Sequence, residues 1–229
     1  EIFHVFGDAS RDGAIGAALK SLSAKPLERV GNKQAVALAV FAGLLSAEQA
    51  EREVFSKEPL RGLSTFLGYY VMQARAKAGA MRGALDIIRR YYGAMLDLGA
   101  TTMWEDFDLQ WAEGAKPLDA LLREGEYDVH GDNGGYCYKG YRHSLCHGWA
   151  AGTVPFAGEY ILGIRVAEAG CKKLILSPDL GDLQWAEGIF PTPYGDVRVR
   201  AEQRGGQTDI QYEAPAQIGI EILKTSEGN

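Results

Sequence analysis

The sequence predicts a mainly α-helical chain with a C-terminal β region. Apolar residues recur at helical spacing from about residue 8 to residue 165, whereas from Lys172 onward they alternate as they do in strands. A chain of 229 residues with 46% hydrophobic content can bury a substantial core. The change of spacing near Ala169 and Gly170 therefore predicts two domains, residues 1–169 and residues 170–229.

The helical region is predicted to hold roughly six helices, with a short additional helix that begins at the cap Ser46. The best defined covers residues 80–98, because one face is apolar throughout and Gly99 follows it as a C-cap. The others are assigned to residues 8–25, 34–45, 59–77, 108–123 and 152–163. Since their connections are short, consecutive helices are expected to pack as antiparallel hairpins.

The C-terminal region has the pattern of an antiparallel sheet. Apolar and polar residues alternate over residues 196–202, the pattern breaks at Gly205 and Gly206, and it resumes in residues 208–213 and 217–222. This arrangement is typical of a small sandwich. Ahead of it, residues 124–141 are rich in Gly, Asp and Tyr without sustained periodicity, which predicts a long loop of the kind that often carries function.

One heptapeptide occurs twice in the chain. Asp108-Leu-Gln-Trp-Ala-Glu-Gly114 recurs as Asp182-Leu-Gln-Trp-Ala-Glu-Gly188. The first copy is predicted to enter a helix, whereas the second lies among strand and turn signals. Two copies in such different surroundings do not indicate a repeat architecture, so we interpret them as a coincidence of local composition.

Charge and composition indicate which kinds of ligand this chain is suited to bind. The formal charge of -6 and the lack of a Lys/Arg-rich run disfavour nucleic acid as a partner, and the sequence holds no run of about 18 apolar residues that could span a membrane. A neutral small molecule is favoured. We expect no cofactor and no metal, because His130, His143, Cys137 and Cys146 lack the compact spacing of a zinc site. The three cysteines are expected to be mostly free thiols.

The segment Gly99-Ala-Thr-Thr-Met-Trp-Glu-Asp-Phe-Asp108 places a large aromatic ring and carboxylates directly after a helix end. A tryptophan can offer a flat apolar surface to a sugar ring, and a carboxylate beside it can activate a water molecule. Glu105 is therefore the first catalytic candidate, while Trp104 is either a sugar platform or a core residue. Asp106 and Asp108 are expected to act in turns and caps, because short acidic side chains bond the nearby backbone.

A second motif, Tyr141-Arg-His-Ser-Leu-Cys-His-Gly-Trp-Ala-Ala-Gly152, lies where a polar loop turns into an apolar helix. His147 offers two ring nitrogens for sugar hydroxyls, and Trp149 offers another apolar surface. Both are therefore candidate substrate-binding residues. A structural histidine remains the alternative for His147.

Three motifs in this order resemble the C-terminal part of bacterial α-L-rhamnosidases of the six-hairpin glycosidase type. They are Ala100-Thr-Thr-Met-Trp-Glu105, Ser144-Leu-Cys-His-Gly-Trp149, and Asp182–Gly188 with Pro191-Thr-Pro-Tyr-Gly195. The resemblance covers nearly the whole chain. It implies a partial (α/α)6 toroid of antiparallel helical hairpins, followed by a small antiparallel β-sandwich, and inverting hydrolysis of terminal α-L-rhamnosyl linkages in a rhamnose-containing glycoside or oligosaccharide.

The same resemblance assigns two roles. Glu105 matches the general base of the family, and His147 matches its sugar-binding histidine. An earlier family motif of the form Asp-Glu-Arg-x-Gly-Trp-x-Gly-Asp, which holds the general acid, has no counterpart in this sequence. The chain thus resembles half a toroid with its sandwich, either a fragment or a truncated homologue, and we expect it to be inactive alone.

Other functions remain open from the sequence. Half a toroid could serve as a non-catalytic carbohydrate-binding or assembly module, and its exposed apolar face could form a homodimer. Six-hairpin folds also host other glycosidases, lyases and phosphorylases. The chain begins at Glu1 rather than at a methionine, which indicates processing or a fragment and leaves the cellular compartment open.

Overall fold

The computed structural model describes residues 9–23, 32–129 and 144–223. Helices occupy most of the first two ranges, and strands begin at Ile164. The helices are α1 (Ala9–Ser23), α2 (Lys33–Phe41), α3 (Ala47–Ala50), α4 (Gly68–Lys77), α5 (Met81–Asp86), α6 (Gly93–Asp97) and α7 (Thr153–Phe156). Three π-helical turns extend them: Glu51–Phe55 after α3, Ile87–Tyr92 between α5 and α6, and Ala157–Ile161 after α7. Within the described residues, no helix is both long and apolar enough to cross a membrane.

Local sequence signals explain where several helices begin and end. The side chain of Asn32 caps α2 by accepting hydrogen bonds from the amides of Gln34 and Ala35, at 2.9 and 3.2 Å. Ser46 caps α3 in the same way through the amide of Gln49, at 3.1 Å, as the sequence predicts. Gly99 adopts a φ of 92° after α6, a conformation that favours glycine, so the predicted C-cap is confirmed.

The helical core is built around the hairpin of α4 and α5, which three residues connect. Helix α4 also packs against α2, α3 and α7. Its buried side chains meet those of the π turn at residues 87–92 and of α7, so that one apolar cluster joins all of these elements. The largest fully buried side chains of this cluster are those of Trp104, Tyr91, Tyr92, Phe55, Phe107, Phe156, Met72, Ile87, Met95 and Leu180.

The predicted helix at residues 108–123 is wrong. Only Leu109–Ala112 forms a single 3-10 turn, with Asp108 as its N-cap. Beyond it, the amide of Lys116 donates to the carbonyl of Tyr127 at 2.8 Å, so its backbone pairs with a distant segment rather than within a helix. Pro117 follows and has no amide hydrogen to donate, which further disfavours helix propagation.

The strands form two small sheets. The strands are β1 (Ile164–Glu168), β2 (Lys173–Leu176), β3 (Trp185–Thr192), β4 (Gly195–Arg204), β5 (Gln207–Glu213) and β6 (Gly219–Ile222). One sheet has the order β1-β2-β6 and includes a parallel pair, β2 with β6; the other is an antiparallel sheet of order β3-β4-β5. Gly205 and Gly206, at φ values of 59° and 85°, make the turn between β4 and β5 that the sequence predicts.

A second apolar cluster lies between the two sheets. Leu174 and Leu176 of β2 meet Val197 and Val199 of β4 in this cluster, and Ile164 of β1 joins them. The mainly α chain with a C-terminal β region is therefore confirmed. The predicted division into residues 1–169 and 170–229 stays a prediction; β1 begins ahead of it, at Ile164.

A buried ion pair links α4 to the π turn that follows α3. Arg75 donates from Nε and Nη2 to the two carboxylate oxygens of Glu51, at 3.0 and 2.8 Å, and both side chains are largely buried. Gly83 of α5 lies against the guanidinium, and a Cβ atom added there would come within 2.1 Å of Nη2 of Arg75. The hairpin of α4 and α5 thus depends on a glycine at this position.

We expect Gly83→Ala to lower the free energy of unfolding by about 3 kcal/mol, because it displaces one partner of a buried charge pair. Urea denaturation measures the change. Gly93→Ala is the matched control: a Cβ there meets only the Ile88 carbonyl oxygen, at 3.7 Å, and should stabilise the helix by up to about 1 kcal/mol. Equal tolerance of the two substitutions would contradict this account of the hairpin.

Candidate active site

The structure brings the two dense sequence motifs side by side. The amide of Glu105 donates to the carbonyl of Ser144 at 2.9 Å, and the amide of His147 donates to the carbonyl of Met103 at 2.9 Å. These two bonds align residues 103–105 and 144–147 in opposite directions. The hydroxyl of Thr102 adds a third link by donating to the carbonyl of Leu145. Two segments about forty residues apart in sequence therefore form one short antiparallel pair.

The carboxylate of Glu105 is held at the edge of this pair. Its Oε2 atom accepts from the amide of Ser144 at 3.0 Å and lies 4.0 Å from Nδ1 of His147. The side chain of Glu105 is 17% exposed and that of His147 is 29% exposed. The carboxylate is therefore fixed in orientation yet open enough to reach a water molecule, which is the arrangement that a general base requires.

The backbone carbonyl of Glu105 accepts two side-chain hydrogen bonds. The hydroxyl of Thr65, which is fully buried, donates to this carbonyl at 2.6 Å, and Nε1 of Trp149 donates to it at 3.2 Å. The carbonyl of Thr65 in turn accepts from the hydroxyl of Tyr92 at 2.8 Å. A chain of hydrogen bonds thus runs from a helix in the core to the main chain of the candidate base.

The adjacent Tyr91 anchors the other side of the same segment. Its hydroxyl donates to the carbonyl of Phe107 at 2.5 Å. Burial raises the pKa of Tyr91 and the pKa of Tyr92 well above the ordinary value of 10.0, with smaller contributions at Tyr91 from Tyr92, Asp106 and Asp108. Both phenols therefore stay protonated and donate hydrogen bonds over the whole physiological pH range.

An aromatic surface lies beside Glu105. The ring of Trp149 is 50% exposed and stacks on Phe66, with centroids 5.3 Å apart and an angle of 14° between the planes. The imidazole of His147 lies 4.4 Å from Trp149, measured between ring centroids. Sugar-binding sites combine such a flat apolar surface with adjacent hydrogen-bonding groups. The sequence does not single out Phe66 as a site residue, although it lies in the segment 59–77 that was assigned to a helix.

The structure separates Trp104 from this surface. Its side chain is only 1% exposed and packs edge-on against Phe107, with centroids 5.7 Å apart. Of the two alternatives that the sequence leaves for Trp104, platform and core residue, the burial favours the core. A buried indole presents no face to solvent, so this ring cannot stack on a sugar. It packs beneath the surface next to the Glu105 segment.

The neighbouring acids have the local roles that the sequence predicts. Asp108 accepts from the amide of Gln110 at 2.9 Å, and Asp106 accepts from the amide of Phe107 at 2.9 Å. Cys146 and Cys171 are free thiols. His130, His143 and Cys137 lie outside the described residues, and inside them no group of three or more His, Cys, Asp or Glu side chains is placed to hold a metal ion.

The described part of the chain thus combines a helical hairpin with a C-terminal β domain, and an aromatic surface and a carboxylate lie together on the helical part. Comparison with known proteins shows what the chain is similar to. Residues 163–228 match the family model described as the bacterial alpha-L-rhamnosidase C-terminal domain. The alpha-L-rhamnosidase of Alteromonas sp. (strain LOR) is 34% identical over 127 residues, which make up 55% of this chain and 11% of that protein.

Solved structures extend the likeness to most of the chain. A GH78 family rhamnosidase of Bacillus sp. GL1 superposes with a TM-score of 0.62 and 27% identity, over 85% of this chain and 19% of that one. The Streptomyces avermitilis α-L-rhamnosidase, solved in complex with L-rhamnose, shares the fold with a TM-score of 0.60 at 18% identity, over 84% of this chain and 18% of that one. The resemblance to the C-terminal portion of bacterial α-L-rhamnosidases, with its partial toroid and β domain, is thereby confirmed, and the chain spans about a fifth of these structures or less.

The buried tyrosines predict how stability depends on pH. An unfolded tyrosine ionises near pH 10, whereas Tyr91 and Tyr92 ionise only at higher pH in the folded chain. Their contribution is complete below about pH 10 and is lost as the pH rises towards the folded pKa. We expect each to lower the free energy of unfolding by about 1.4 kcal/mol per pH unit above that point.

Urea denaturation between about pH 9 and about pH 11 measures this slope. Tyr92→Phe should remove the contribution of one ionising group, about 1.4 kcal/mol per pH unit, from the slope. It should also lower the free energy of unfolding at neutral pH by about 1 kcal/mol, because the hydrogen bond to the Thr65 carbonyl is lost. Tyr194→Phe, at the exposed turn between β3 and β4, is the control and should leave the slope unchanged. A Tyr92→Phe slope equal to that of the original chain would contradict the assignment.

Proposed function

We propose that this chain supplies the general base and part of the sugar-binding surface of an inverting α-L-rhamnosidase. The observation that carries the proposal is the position of the Glu105 carboxylate, 4.0 Å from His147 and beside the exposed ring of Trp149. The family likeness supports rhamnosides as the substrates. The proposed reaction is hydrolysis of terminal α-L-rhamnosyl linkages.

In this mechanism, Glu105 takes a proton from a water molecule as the water oxygen attacks the anomeric carbon. The bond from that carbon to the departing oxygen breaks on the opposite face, and a carboxylic acid on that face protonates the leaving group. Inverting enzymes hold the two carboxyl groups about 6.5 to 9.5 Å apart to leave room for the water. The anomeric configuration is inverted because a single displacement occurs.

The remaining site residues bind and orient the sugar. The stacked pair of Trp149 and Phe66 provides the apolar surface on which the sugar ring lies. The His147 imidazole hydrogen-bonds a hydroxyl of the sugar ring. The hydrogen bond from its backbone amide to the Met103 carbonyl fixes the position of His147 relative to Glu105. The hydrogen bond from the Trp149 indole to the Glu105 carbonyl keeps the aromatic surface and the proposed base at a fixed separation.

The general acid does not belong to the residues that this chain contributes. The acidic family motif has no counterpart in the sequence, and Asp106 and Asp108 are engaged in local backbone hydrogen bonds. We therefore propose that the chain is inactive alone and needs the other half of the toroid. Homodimerisation through the exposed half-toroid face remains a prediction.

The test uses an aryl α-L-rhamnoside and a longer polypeptide that combines this chain with the acidic motif. We expect Glu105→Gln to lower kcat by about 10³-fold with little change in KM, because it removes the base and leaves the platform intact. Asp108→Asn is the matched control, since asparagine also caps a turn, and should retain nearly full activity. Proton NMR of the first product should show the β anomer of rhamnose.

Two outcomes would contradict the proposal. Activity that survives Glu105→Gln places the base elsewhere, and an initial α anomer shows that the configuration is retained. The 229-residue chain alone is the second control and should give no turnover. Robust turnover by the chain alone, abolished in Glu105→Gln, would refute its inactivity while supporting the role of Glu105.

A further inference from the structure

The outer face of the β3-β4-β5 sheet carries an open depression. Alternate residues of β4 point to opposite sides, so that Val197, Val199 and Ala201 are buried while Arg198 and Arg200 point outward. On this outward side a depression of about 540 Å³ crosses all three strands. Small-molecule sites commonly fall between about 300 and 1,000 Å³. The lining residues of the depression include none of those assigned to the proposed hydrolysis.

The charges that line the depression are balanced. Arg198 and Arg200 of β4 face Glu187 of β3 and Glu213 of β5 across the strands, giving two positive and two negative side chains. Nη1 of Arg200 lies 2.7 Å from a carboxylate oxygen of Glu187. Because the lining has no net charge, it attracts neither a polyanion nor a polycation. It suits a neutral ligand that is rich in hydroxyl groups.

An exposed aromatic ring adjoins the depression through Arg200, although it is not one of the residues that line it. Trp185 of β3 is 50% exposed, and the guanidinium of Arg200 lies 4.7 Å from the centroid of its ring. Arg200 is held by Glu187 and also lies 3.6 Å from Glu202, so the indole and the guanidinium have fixed relative positions. Cross-strand ion pairs alone would only stabilise a solvated sheet face. A solvated sheet face does not require an open depression with a half-exposed tryptophan beside it.

We propose that this depression, together with the adjoining ring of Trp185, is a second carbohydrate site, which binds a neutral oligosaccharide. Trp185 stacks against the apolar face of one sugar ring, and the planar side chains of Arg198, Arg200 and Glu187 pair with adjacent hydroxyl groups. The site would hold the sheet against a glycan chain while the helical region acts on a terminal sugar. It does not depend on Glu105, so it stands or falls separately from the proposed hydrolytic function.

The test is an NMR titration of the ¹⁵N-labelled 229-residue chain with cellotetraose and, separately, with L-rhamnose. The four tryptophans give one indole N–H signal each, so the Trp185 signal reports the sheet and the Trp149 signal reports the candidate active site. We expect cellotetraose to shift the signals of Trp185 and of the Arg200 side chain with a Kd on the order of 1 mM. The signal of buried Trp104 should not move.

Trp185→Ala and, as a second variant, Arg200→Gln should each weaken binding by about tenfold. Tyr194→Ala, exposed at the β3–β4 turn and outside the depression, is the matched control and should bind as the original chain does. The proposal is overturned if cellotetraose and L-rhamnose both leave the Trp185 signal in place. It is also overturned if the two variants bind as well as Tyr194→Ala does, or if an anionic oligosaccharide of galacturonate binds the sheet more tightly than cellotetraose.

Discussion

The two backbone hydrogen bonds between residues 103–105 and 144–147 are the constraint on which the candidate site depends. Neither segment forms a regular strand or helix at this point, so these bonds set their relative position. Each bond pairs an amide with a carbonyl in a partly buried position, and such a bond typically contributes about 1 kcal/mol to stability. Because they fix the register, the Glu105 carboxylate and the His147 imidazole face each other on one edge.

Two buried tyrosines hold the segment that carries Glu105 in place. Tyr91 and Tyr92 are consecutive in a π-helical turn, yet both side chains are buried and each reaches the carbonyl of a different segment. Through Thr65, Tyr92 supports the carbonyl of Glu105 itself. π-Helical turns often occur at functional sites. The helical core thus fixes the position of the Glu105 backbone. Trp149 and Phe66 remain exposed at the surface, where a ligand can contact them.

Much of the fold follows from local signals in the sequence, such as the cap at Ser46, the glycine after α6 and the paired glycines between β4 and β5. The repeated heptapeptide shows where such signals fail. Its first copy forms a 3-10 turn capped by Asp108, whereas in the second copy Asp182 pairs with Arg89 and the chain enters β3. Identical local propensity was overridden by tertiary contacts. Thr65 and Phe66 could not be predicted as site residues, because their contacts with Glu105 and Trp149 join positions far apart in sequence.

If Glu105, His147 and Trp149 act on one sugar, a crystal structure with bound L-rhamnose should show all three around it. The polypeptide should include this chain together with the other half of the toroid. We expect a sugar ring against Trp149, a hydroxyl bonded to His147, and a water molecule within hydrogen-bonding distance of the Glu105 carboxylate and facing the anomeric carbon. A sugar bound away from these residues, with Glu105 turned from the anomeric carbon, would contradict it.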